Sequence, residues 1–177
     1  LHPRVRRQRQ MCIRDRYVRA KTMEAIEKTH TRVDAALKAG GDAVGAQTIV
    51  ETLPGMLPLN CNKRMNELMV ENSLLVNPDV DIKDAGHFSA STDMGDVSHL
   101  MPVIHPFIGG TNGLLHTADF HVEDFNAAVL LPAKAFAMML VDLLYDDAKE
   151  AKAILADFKP VLTKEEYISK LDGYFNA

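Results

Sequence analysis

The chain has 177 residues, with 20 Lys and Arg against 24 Asp and Glu, a formal charge of −4 and a pI near 6.0. That is about one domain's worth of chain, too acidic overall for a nucleic-acid footprint. It is too poor in cysteine, with two, for a disulfide scaffold.

Residues 1–16 do not share this character. They hold six arginines (Arg4, Arg6, Arg7, Arg9, Arg14 and Arg16) and one acid, Asp15. Such a run can neutralise phosphates, or it can be a charged tail with too little apolar surface to bury. A third origin fits better. The codons CGT CGG CAG CGT CAG ATG TGT ATA AGA GAC encode Arg6 through Asp15 without a mismatch, and they resemble a transposase-library sequencing adapter. Residues 1–16 are therefore expected to be translated adapter and are set aside from the fold. The natural chain is expected to start near Tyr17, with the true N-terminal part missing. Removing one of the 24 acids and six of the 20 bases leaves 14 against 23, a net of −9. The basic arm loses its support as a nucleic-acid binder. Cys61 is then the lone cysteine, so no intrachain disulfide and no cysteine-based zinc site is expected, and a reducing cytoplasm is the default compartment.

From Tyr17 the elements follow in order. YVRA (17–20) reads as the end of a strand. Thr22 caps a helix, Glu24 suits its positive end, and Met23, Ile26, His30, Val33 and Leu37 give it one apolar face. Gly40-Gly41 is expected to stop it, and AQTIVETL (46–53) to form a second strand. This β-α-β unit fits half of a split-βαβ domain. LPGMLPLN (53–60) is a proline-punctuated connector and the expected domain boundary. Asn62 caps a helix that turns Met65, Leu68 and Met69 inward, and Pro78 breaks the chain.

The next stretch, from Asp84 to Phe120, mixes Gly, Ser, Asp and His with short apolar runs. With His121 just beyond, it holds His87, His99, His105 and His116. Loops of this composition on a rigid scaffold are where binding and catalysis concentrate. Histidine is a common metal ligand, yet there is no HExxH and no i, i+4 pair on a helix here, and hydrogen-bonded histidines fit the spacing too. In STDMGD (91–96), Asp93 or Ser91 can cap a short helix over Met94–Leu100. GGTNG (109–113) permits close backbone approach to a ligand, and a tight turn explains it equally. A helix is expected from Asp124 to about Asp146. It is apolar on most faces and should be a buried core helix, not a membrane span, because Lys134 and Asp142 interrupt it and Pro132 should kink it. Thr163 and Glu166 form a capping box for the last helix.

STDMGDVSHLMPVIHPF followed by GGTNGLLHTADF resembles the C-terminal part of the zinc-dependent aminoacylase and carboxypeptidase-G-like metallopeptidases. The nearest branch is the amidohydrolases related to aminobenzoyl-glutamate hydrolase. The resemblance covers most of residues 17–177. It implies an α/β fold: the C-terminal part of a zinc-peptidase-like catalytic domain (55–177), preceded by half of a ferredoxin-like lid and dimerisation domain (17–54). It further implies two zinc ions, or manganese or cobalt in their place, that activate a bridging water with a glutamate general base. The first half of the catalytic domain, which is not in this chain, would carry that glutamate and most ligands.

On this chain the resemblance maps a metal ligand onto His116 and places Asp93 where it would orient ligands or loop backbone. Gly109, Gly110, Thr111 and Asn112 fall on a substrate-side loop. Arg19 stands where a guanidinium would grip a substrate carboxylate. The implied substrate is a small acyl-amino acid or dipeptide and the implied assembly a homodimer, with no nucleic-acid or membrane partner. The fragment alone would be inactive. A non-catalytic dimerisation or binding module is the competing reading.

Overall fold

A computed structural model describes residues 14–84, 86 and 90–175. Most of the arginine run and His87 lie outside the described residues. Among the described residues, five helices carry the fold. They are α1 (Met23–Ala43), α2 (Lys63–Val76), α3 (Met94–Ser98), α4 (Leu131–Asp157) and α5 (Lys164–Phe175), and α4 is entered through a π-turn at Asn126–Leu130. The sheet among the described residues is one antiparallel hairpin, β1 (Thr111–Asn112) with β2 (His121–Val122), pairing Thr111 with Val122 and Asn112 with His121. This mixture is compatible with an α/β fragment.

The caps read from the sequence are in place. The Thr22 hydroxyl accepts from the Ala25 N–H, and the Asn62 amide oxygen from the Met65 N–H at 3.0 Å. Thr163 and Glu166 satisfy each other reciprocally: the Glu166 N–H donates to Thr163 Oγ1 at 3.1 Å and the Thr163 N–H to Glu166 Oε2 at 2.7 Å.

Three expectations give way. The Gly40-Gly41 pair does not stop α1. The helix runs on to Ala43 and ends where Gly45, at φ 66°, lets the Ala46 N–H reach Gly41 O and the Gly45 N–H reach Asp42 O. These are the paired bonds of a Schellman ending, and they need a left-handed residue two positions after Ala43.

Neither YVRA nor AQTIVETL pairs as a strand. A strand is defined by a partner for its backbone groups, and the described residues present none to either segment. Helix α1, which lies between them, has no buried residue, and its Glu27 meets α5 through Lys170 Nζ at 2.6 Å.

The long helix is also less buried than its composition suggests. Ala135, Met139 and Ile154 are covered, but Leu140, Val141 and Leu144 are 57–64% exposed. The reason is geometric: α2 lies against one stripe of α4, and Ala135, Met139 and Ile154 join Leu68 and Met69 of α2 in the core cluster. The segment Asn126–Asp157 is long and apolar enough to cross a membrane by length and composition.

The expected kink at Pro132 takes another form. Pro132 stands at the start of α4, immediately after the π-turn. The irregularity sits just before it, as the π-turn, with the Leu131 N–H donating to Asn126 O. The sharp break is further on, where Tyr145 to Ala148 leave right-handed helical geometry.

Polar contacts fix α2 on α4. The buried Asn72 amide donates to Leu68 O at 2.9 Å and to Asp142 Oδ2 at 2.6 Å. Eight residues back along α2, Arg64 Nε meets Glu150 Oε1 at 2.5 Å, eight residues on along α4. The two contacts hold α2 to α4 on either side of the break at Tyr145–Ala148.

Candidate functional site

The block around α3 stitches distant chain segments together. The Asp93 carboxylate accepts from the Met94 N–H at 3.0 Å and from the Thr92 hydroxyl at 3.2 Å, so it caps α3. Three residues on, Asp96 Oδ1 accepts the Leu57 N–H at 3.2 Å. The Tyr167 phenol of α5 is raised above its ordinary value, first by burial and then by the charge of Asp96 and a hydrogen bond to it.

Ser98 is fully buried. Its hydroxyl donates to Gly95 O at 2.5 Å and accepts the Asn60 N–H at 3.0 Å. The His99 Nδ1 stands 2.9 Å from Gly95 O, so that nitrogen carries the proton. Its own carbonyl accepts from Val161 and Leu162. Gly95 has to be glycine, because a Cβ there would lie 1.9 Å from Leu57 O. Connector, α3 and the entry to α5 are thus one hydrogen-bonded unit. Sequence reasoning assigned a role in this block to Asp93, counted His99 only among the histidines of the stretch, and gave no role to Asp96 or Ser98. The signal was the density of small and polar residues in STDMGDVSH, which suits close backbone packing as well as chemistry.

The connector residues Met56 to Leu59 of this unit line one side of a cavity of about 1140 Å³. Arg19, Ser91, Thr92, His105, Gly109 and His116 line it, together with apolar side chains of the connector and α2. Of the residues expected at a site, Arg19, Gly109 and His116 therefore share one cavity, whereas Asp93, Gly110, Thr111 and Asn112 are not in its wall.

The glycine loop divides the same way. A Cβ on Gly109 would meet nothing within 4 Å. Gly110, at φ 86°, packs so closely on the chain entering the π-turn that a Cβ would lie 2.6 Å from Ala128 N and 2.7 Å from Asp124 O. Its carbonyl accepts from the Glu123 and Asp124 N–H groups. Thr111 and Asn112 form β1, and the Asn112 side-chain oxygen accepts from Gly113 N at 2.7 Å. Gly109 therefore faces open space, and Gly110 to Gly113 build the turn.

His116 is held in the left-handed region, at φ 65°. A non-glycine residue there is strained and persists only where its surroundings impose it. The Thr117 hydroxyl bonds Leu114 O at 2.6 Å and also meets the Asp119 carboxylate, whose pKa is lowered chiefly by that hydroxyl. These bonds clamp the residues on either side of His116 and leave the imidazole exposed.

The Arg19 guanidinium stands 4.9 Å over the Tyr17 ring. His105 packs edge-on to Phe107, with centroids 5.7 Å apart. Burial pushes the Cys61 thiol up, against a hydrogen bond from the His105 backbone. His121 is exposed and its Nδ1 lies 2.6 Å from Asp119 O. Among the described residues no three His, Cys, Asp or Glu side chains gather into a metal site. The cavity wall carries two imidazoles, His105 and His116, and metal chemistry is not built from these alone.

No family model and no solved structure matches the chain. Two curated proteins do. The mouse Xaa-Arg dipeptidase is 27% identical over 164 residues, covering 86% of this chain and 37% of that protein. The human Xaa-Arg dipeptidase is 28% identical over 174 residues, covering 88% of this chain and 37% of its own length. The chain thus spans little more than a third of the length of these relatives. The similarity is distant but runs over most of the chain, and it supports a peptidase-like family.

Proposed function

We propose that this chain is the C-terminal part of a metal-dependent amidohydrolase or peptidase that cleaves a dipeptide-like or N-acyl-amino-acid amide bond. The observation that carries this is the similarity to two dipeptidases across most of the chain. In the intact protein two zinc ions would lower the pKa of a bridging water and polarise the amide carbonyl. This chain's share is binding and orientation. His116 supplies an imidazole to the metal centre, already held at a clamped turn. Arg19 forks onto the substrate carboxylate, and Gly109 leaves room for the substrate beside His116. Asp93 acts on the site through α3, which it caps. A homodimer through residues 17–54 and a cytoplasmic location belong to the same reading.

The test is made on a protein extended upstream to the full length of the relatives. Zinc content and hydrolysis of a dipeptide series are measured with and without His116→Ala. Loss of bound zinc together with loss of turnover supports the proposal. Full metal content and full activity in the variant sink it, and an extended protein with neither metal nor amidase activity points to a binding module instead.

A further inference from the structure

The described residues bury too little for a chain of this size. Seven apolar side chains are buried, whereas 27 large ones are exposed. The chain exposes 14204 Å², against about 8,600 Å² expected of a compact monomer of 19.6 kDa. The 19 residues outside the description account for at most about 3,000 Å² of that excess.

A continuous part of the uncovered surface runs along α4. Ala133, Phe136, Ala137, Leu140, Val141 and Leu144 follow at steps of three, one, three, one and three, which sets them on one side of the helix. All six are exposed. Ala135 and Met139, in the core cluster, and Asp142, bonded to Asn72, lie on the other side, against α2. Lys134 stands at the edge of the stripe. A contiguous apolar surface of this kind marks a place where something docks.

Three occupants are conceivable, and the structure separates them. A bilayer suits the composition of α4. Yet α4 is tied to α2 by Asn72 and Asp142, so it would carry the exposed Glu67 and Glu71 of α2 into the hydrocarbon. A second copy would cover one patch, whereas Ile49, Leu53, Leu115 and Leu155 are exposed as well, well away along the chain. The remaining occupant is more of the same protein. The chain corresponds to 37% of the length of each dipeptidase it resembles, so a related protein has ample further chain to supply the cover.

We propose that the exposed stripe of α4 is the seat of the chain upstream of Tyr17, and that the core is completed only when that chain packs on it. The proposal rests on the reading above that the protein continues upstream; it requires neither metal nor turnover.

The test is made on the protein extended upstream, without lipid. Hydroxyl-radical footprinting, read residue by residue against free-peptide rates, should find Leu140, Val141 and Leu144 protected about tenfold, the drop expected when side chains more than half exposed become buried. A photo-crosslinking benzoylphenylalanine in place of Leu144 should capture a peptide upstream of Tyr17. Mixing with isotope-labelled copies tells a crosslink within one molecule from one between two. Capture between copies gives the stripe to a second molecule and overturns the proposal. Protection that appears only with phosphatidylcholine vesicles gives it to a membrane, and reactivity equal to free peptide leaves it bare; either result overturns the proposal too. Zinc content and dipeptide hydrolysis are read on the same sample. A covered stripe without metal or turnover keeps this proposal and removes the function, and an active zinc protein with a bare stripe does the reverse.

Discussion

The Asp96 carboxylate holds the Leu57 N–H at 3.2 Å across 39 residues of chain. It also faces the Tyr167 phenol, so one side chain joins the connector, α3 and α5. The Leu57 N–H sits on a residue only 9% exposed, where a lost partner is not replaced freely by water.

Asp96→Ala should therefore destabilise the chain by about 1–3 kcal/mol, the cost of a buried donor left unmade. The same linkage gives a pH signature. Tyr167 has a folded pKa above its unfolded value near 10, so its contribution is fully present below that value and is lost as pH rises through the folded pKa. Urea melts between neutral and strongly alkaline pH should show this decline, and Tyr167→Phe should remove that part of it. An unchanged alkaline profile in Tyr167→Phe would dismiss the pairing.

Gly109 and Gly110 are adjacent and should respond oppositely. Gly110→Ala drives a Cβ into the backbone of Asp124 and Ala128 at a positive φ, so a cost of about 1–3 kcal/mol is expected. Gly109→Ala meets open space and should leave stability within about 0.5 kcal/mol, while narrowing the cavity beside His116. Thermal melts of the two variants decide the point; equal losses would mean that the loop is not seated on the π-turn.

Two helix caps give a matched pair of expectations. Asn62→Ala should cost α2 about 1 kcal/mol, because the Met65 N–H loses its acceptor. Glu166 titrates below its ordinary carboxyl value, chiefly through the Thr163 N–H and then the Thr163 hydroxyl. A depressed carboxyl stabilises above its unfolded pKa, and that stability is lost as pH falls through the folded value. Glu166→Gln should flatten the acid limb of the stability profile below about pH 4.5, Thr163→Ala, which keeps the backbone N–H, only in part, and Asn62→Ala not at all. Melts at a series of acidic pH values distinguish the three.

What the sequence showed and what it hid divide along a physical line. Thr22, Asn62 and Thr163 were legible because a cap is local: a polar side chain and an N–H two or three residues away suffice. The strand character of AQTIVETL was not realised, because a strand needs a partner that its own residues cannot specify. The end of α1 was misplaced by two residues because a glycine pair is a weaker stop than one glycine free to turn left-handed at Gly45. The burial of α4 was overread from composition, since an apolar helix is buried only where something covers it. At the site, Arg19, Gly109 and His116 were named from a resemblance and share one cavity. The ties made by Asp96 and Ser98 span 39 and 38 residues and leave no trace in local pattern.

His116 permits a prediction in which stability and chemistry part company. Its φ of 65° is imposed by the clamp that Thr117 and Asp119 make around it. Glycine accepts that geometry without the Cβ penalty of about 1–2 kcal/mol, though it has more freedom to lose on folding. His116→Gly should therefore be as stable as the parent chain or slightly more so. His116→Ala keeps the penalty and gains nothing, so it should be the less stable of the two by about 1 kcal/mol. In the extended protein both lack the imidazole and should lose turnover alike. Melting curves on the chain and activity on the extended protein are read together. Equal stability of the two variants would remove the strain at His116, and retained turnover in either would remove its role.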